Sequence, residues 1–83
     1  MSHAKRLQAR EAQPSWTLSW ESAQEEAGKW IGEQHLPRDL TGQSVDLTQA
    51  SFPFEGTFRA MVLEAVRRKL RRRGAREILL PRP

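Results

Sequence analysis

Residues 44–80 read SVDLTQASFPFEGTFRAMVLEAVRRKLRRRGAREILL, and the hydrophobic period changes twice along them. Val45 and Leu47 alternate with Ser44, Asp46 and Thr48, the period of two that marks a half-buried strand. Phe58, Met61, Val62, Ala65 and Val66 then fall at i, i+3, i+4, i+7 and i+8, the stripe of a core-facing helix. Pro53 and Gly56 lie in the loop between them, and Thr57 is placed to cap the helix start. Gly74 suits the left-handed position just past a helix end. Ala75–Leu80 follows as a short strand stopped by Pro81. Strand, helix, strand is the reading that decides the fold.

Working toward the N-terminus, LPRDLTG is a connection. Before it, ESAQEEAGKWIGEQ carries Ala23, Ala27, Trp30 and Ile31 at helical spacing. Ser19 or Ser22 can cap this helix, and Ser22 with Glu25 has capping-box spacing. Gly32 is a plausible stop, and Pro37 prevents continuation. In SWTLSW, residues 15–20, Trp16, Leu18 and Trp20 alternate with Ser15, Thr17 and Ser19, which predicts a further strand. Residues 1–14 show no apolar period and read as a disordered basic tail. MSHAKRLQAR would also suit a mitochondrial presequence; the tail is the simpler reading.

These patterns predict an α/β fold, a single small domain over residues 15–83. Trp16, Leu18, Val45, Leu47, Ile78 and Leu80 would form one apolar sheet face, with polar residues on the other. Right-handed crossovers then put both helices on the same side. The expected architecture is two-layer β-α-β-α-β, a small three-stranded sheet with two helices on one face and the other face open.

Composition bounds what such a chain does. Eighty-three residues, 37% of them hydrophobic, with a mean hydropathy of −0.72, give a thin core, so a partner or self-association as a homo-oligomer is favoured. The absence of cysteine excludes disulfide scaffolds and thiol nucleophiles and suits a reducing, cytoplasmic setting. No stretch reaches the length of a membrane span. Residues 1–54 hold five basic and seven acidic side chains, net −2, whereas residues 55–83 hold nine and three, net +6. The charge is a pole, and it attracts acidic partners.

No catalytic constellation is visible, and the chain is read as neither an enzyme nor a cofactor protein. His35 stands alone in a loop. The five glycines fit no phosphate-binding pattern. Asp39, Asp46 and Glu55 read as turn and cap formers at strand ends. The strongest polar signal is the helix end, where six of the seven residues from Arg67 to Arg73 are basic. Arg67, Arg68, Lys69, Arg71, Arg72, Arg73 and Arg76 are the candidate binding residues, for an acidic protein surface or for nucleic acid. Such a helix end grips phosphates; the plainer use is to complement the helix dipole, which needs fewer charges. Lys69, Arg72 and Arg73 fall beneath the apolar stripe and must snorkel or project past the sheet.

The strand ending Asp46-Leu47-Thr48, Phe52, the helix opening Phe58-Arg59-Ala60-Met61, the Arg-rich helix end, Gly74-Ala75 and the strand Ile78-Leu79-Leu80 together resemble part of a STAS-like domain of the anti-sigma factor antagonist type. The resemblance covers residues 44–80 and stops short of the last helix of a full domain. It implies a non-enzymatic protein-binding module. Antagonists usually carry an Asp-Ser-Ser-Gly-like turn before this helix, with a phosphorylated serine. Here the turn is Phe54-Glu55-Gly56-Thr57 and the acceptor position is Gly56, so the phosphorylation switch is not implied. The leading expectation is a small regulatory binding module acting through protein–protein contacts. The alternative is a nucleic-acid-binding protein using the Arg-rich helix end.

Overall fold

The computed structural model describes residues 15–82. Their order is α1 (Ser15–Glu33), β1 (Ser44–Asp46), α2 (Gly56–Arg72) and β2 (Glu77–Leu79). The two strands pair in parallel, Ser44 with Glu77, Val45 with Ile78 and Asp46 with Leu79. The strand–helix–strand unit is therefore present, with its two strands parallel. The ladder is extended at both ends, by Arg76 N–H on Gln43 O and Leu47 N–H on Leu79 O, each 2.8 Å.

The three-stranded sheet is not formed. SWTLSW, expected as the first strand, is the opening of α1, and the sheet has two strands. Alternation over six residues is ambiguous. Trp20, Ala23, Ala27, Trp30 and Ile31 continue a helical spacing, and helical packing of that face overrides the local β preference of Trp and Thr. Ser19 and Ser22 consequently lie inside α1 and cap nothing. The expected tail over residues 1–14 lies outside the described residues.

The two helices pack on each other, and the core lies between them and one side of the sheet. It comprises Ala23, Ala27, Trp30 and Ile31 of α1, Val62, Ala65, Val66 and Leu70 of α2, and Leu40, Val45 and Leu47. Leu40 and Leu70 complete it beyond the residues expected. Phe58 and Met61 are only half-buried at its margin, as are Ile78 and Leu80. The other side of the sheet is open, with Ser44, Asp46, Glu77 and Leu79 exposed. Ser44 Oγ donates to Glu77 Oε1 across it, at 2.7 Å.

Aromatic rings close the end of the core where α2 begins. Trp30 Nε1 donates to Ser51 O at 2.7 Å, and its ring meets Phe52 edge-on at 5.0 Å. Phe54 meets Phe52 at 4.8 Å and Phe58 at 6.0 Å. Thr57 is not the cap of α2. The residue before the helix is Glu55, extended and without a side-chain cap, and the chain turns into the helix through Gly56 at φ 63°.

The far end of α2 is stopped as expected. Gly74 takes φ 95°, its N–H donates to Arg71 O at 2.9 Å, and Ala75 N–H donates to Leu70 O at 3.2 Å. This pair of bonds is a Schellman turn. A Cβ at Gly74 would stand 2.8 Å from Thr41 Oγ1 and 2.9 Å from Thr41 Cα, so a second backbone segment fills the place of a side chain. Leu40 N–H on Arg73 O, 2.8 Å, and Gly42 N–H on Gly74 O, 3.2 Å, hold that segment there.

Candidate functional site

The basic end of α2 is divided by the helix into separate environments. A helix places residues three and four apart on one side. Arg68, Lys69 and Arg72 thus share a flank with Ala65, and with Trp20 and Gln24 of α1 they line a shallow groove between the helices. The Arg68 guanidinium lies over the Trp20 ring, 5.0 Å from its centroid. A second depression, on the other side of that stacked pair, is lined by Trp20, Met61, Glu64 and Arg68.

The remaining candidates are elsewhere. Arg67 is half-buried and pairs with Glu64 at 3.9 Å, while Arg68 Nε also donates to Glu64, at 3.2 Å. Such surface pairs contribute at most about 1 kcal/mol. Arg71 and Arg76 are exposed and make no ion pair among the described residues. Arg73 is half-buried, and its Nη1 donates to Pro37 O at 3.3 Å. Of the three cations expected beneath the apolar stripe, Lys69 and Arg73 are half-buried and Arg72 is exposed, and Lys69 and Arg72 both line the groove.

The acidic residues at the strand ends do not converge. Asp39 accepts from Thr41 N–H, at 2.9 Å, and from the Thr41 hydroxyl. Asp46 accepts from Thr48 N–H at 3.0 Å and Thr48 Oγ1 at 2.7 Å. These are Asx turns, each closed by the threonine two residues on. The threonine hydroxyl first, and its amide second, hold each carboxyl below the usual carboxylate range. His35 is exposed and sits at φ 54°, past the end of α1, where it serves the turn.

Three residues were not among the sequence candidates. Trp20 and Gln24 enter the groove only once residues 15–20 are helical. The signal for Trp20 was its spacing of three and seven residues before Ala23 and Ala27. Arg59 is half-buried and used as framework. Its Nη1 donates to Phe52 O and Phe54 O, both 3.4 Å, and its Nη2 to Pro81 O at 3.3 Å and Arg82 O at 2.9 Å. Its guanidinium also lies 4.9 Å from the Phe52 ring centroid, while its buried Nε has no hydrogen-bond partner among the described residues.

Among the described residues no helix is long and apolar enough to cross a membrane. Comparison of the chain with protein-family models, with curated proteins and with solved structures finds no match.

Proposed function

We propose that the chain is a small, non-enzymatic regulatory binding module that acts through protein–protein contacts and takes an acidic partner surface on the outward side of α2 and the turn after it. The observation that carries this reading is the state of Arg71 and Arg76. Both are exposed, and neither has a carboxylate within ion-pairing distance among the described residues. Dipole complementation at the helix end needs one or two cations, and Lys69 and Arg72 already stand in the last turn. The open sheet face adds an apolar contact at Leu79, 41% exposed. The STAS-like resemblance of residues 44–80 points to the same class of activity, without a phosphorylation switch at Gly56. A cysteine-free chain of this kind suits the cytoplasm.

The test uses the purified chain and a short labelled Glu/Asp-rich peptide, with duplex DNA of random sequence as the competitor. Peptide binding at physiological salt that falls when Arg71 and Arg76 are both changed to Gln supports the reading. Duplex held more tightly than the peptide, through those same two arginines, overturns it.

A further inference from the structure

The inner flank of α2 has a different chemistry from the outer one, and it carries an inference beyond protein binding. The groove between the helices is walled by three cations, Arg68, Lys69 and Arg72, together with an indole and a primary amide. Among the described residues no carboxylate lines it; Glu64 borders the neighbouring depression. Like charges on one flank repel; Glu64 pairs with Arg68 at 3.2 Å from the neighbouring depression, while Lys69 and Arg72 make no ion pair among the described residues. Lys69 is half-buried, which suits a stem laid along the groove with its ammonium at the mouth. Beside the cations lies an aromatic surface with a guanidinium over it: Arg68 stands 5.0 Å from the Trp20 ring centroid.

We propose that this groove binds a nucleotide unit, with the phosphate on Lys69 and Arg72 and the base stacked on the Trp20–Arg68 pair. The guanidinium of Arg72 offers a planar fork of donors that matches phosphate oxygens, and the Lys69 ammonium supplies a mobile point charge beside it. Aromatic rings and arginine planes are the surfaces on which unpaired bases stack. The amide of Gln24 carries both a donor and an acceptor, which is what the edge of a base requires. An acidic peptide would satisfy the cations and leave the stacked surface and the amide unused. Duplex DNA would satisfy the cations while keeping its bases stacked on one another. The same chemistry is available from a free nucleotide or from single-stranded nucleic acid.

The experiment measures binding of the whole chain to labelled oligothymidylate and oligouridylate by fluorescence anisotropy, with ADP, inorganic phosphate, duplex DNA and the acidic peptide as competitors. The expected result is single-strand binding that weakens about tenfold or more in Trp20→Leu and stays within a few-fold in Trp20→Phe. Arg72→Gln lowers the slope of log K against log salt by about 0.7, the value of one phosphate contact on a single strand. Competition by ADP at strand-like affinity assigns the groove to free nucleotides; competition only by strands assigns it to single-stranded nucleic acid. Because Trp20 is half-buried, each variant is first checked for an unchanged far-ultraviolet circular dichroism spectrum. Arg72 is exposed, so its variant keeps the test decisive if Trp20→Leu unfolds. No binding of strand or nucleotide overturns the proposal, and so does equal loss in Arg71→Gln and Arg72→Gln, or displacement by inorganic phosphate alone at ADP-like concentration. Peptide binding through Arg71 and Arg76 is read separately, so the failure of one reading leaves the other measurable.

Discussion

At the start of α2, the Arg59 guanidinium is half-buried, covers the Phe52 ring and donates to four main-chain carbonyls, those of Phe52, Phe54, Pro81 and Arg82. In the helix's last turn, Arg71 and Arg72 stand exposed and make no hydrogen bond or ion pair among the described residues. The side chain is the same and so is the helix. The surroundings differ: at the first end two irregular segments bring their carbonyls together, and a planar fork of donors satisfies them at once. At the second end the Schellman turn satisfies the carbonyls of Leu70 and Arg71 with backbone N–H groups, and the side chains are left over. Density of charge in a sequence is therefore a poor guide to which arginine the fold depends on. The isolated Arg59 is structural, and of the crowded ones Arg71 and Arg72 are available.

The largest expected effect concerns what does hold the basic end. Gly74→Ala forces a Cβ against Thr41 at positive φ, combining left-handed strain with overpacking, for a loss of about 3–5 kcal/mol. Chemical denaturation measures it, and a loss below about 1 kcal/mol would show that the Thr41 segment moves freely. Next comes Arg59→Met, expected to cost about 2–4 kcal/mol through lost charge-assisted bonds and the lost ring contact. Arg59→Lys keeps the charge but not the fork and should recover less than half. Full recovery would mean that charge, not geometry, matters at that end. By contrast, changing Arg71 and Arg72 together to Gln should alter stability by no more than about 0.5 kcal/mol. A melting temperature as low as that of Arg59→Met would abolish the distinction between the ends.

The smallest effect lies outside α2. Asp39 and Asp46 are held below their ordinary pKa of 3.8 by their threonines. Each therefore contributes stability above the unfolded value, and that contribution is lost as pH falls through the lower folded value. Melting temperature should decline in acid below about pH 4, and less steeply in the Asp39→Asn, Asp46→Asn double variant, whose Asx turns can persist. An unchanged acid limb in that variant would assign the decline to other carboxylates.

Residues 44–80 were legible because the periods agreed with the fold, two, then 3.6, then two, with Gly74 at the stop; the cap expected at Thr57 was the exception. Residues 15–20 were misread because three alternations suit a strand and a helix equally, and the deciding information lay further along, in Ala23, Ala27 and Trp30. The basic cluster was legible as a cluster. Its partition was not, since the partition depends on Trp20 and Gln24 arriving from another helix. Arg59 gave no signal at all, because its partners are carbonyls, which every residue carries. Only the folded path of residues 52–54 and 81–82 distinguishes them.

The seat of Gly74 against Thr41 also has a consequence for the order of events in folding. The contact is backbone on backbone, and it is tied by the Leu40 and Gly42 amides to the carbonyls of Arg73 and Gly74. The entry to β1 docks on the closed and reversed last turn of α2, so helix termination and strand pairing are expected to share one barrier. Between them lies the whole crossover, whose loop-closure entropy is charged before any strand bond forms. A residue in that joint acts on the rate of folding more than on the rate of unfolding. Gly74→Ala should then depress the folding arm of a chevron plot and leave the unfolding arm nearly in place, whereas a shift confined to the unfolding arm would show that the joint locks after the barrier has been crossed.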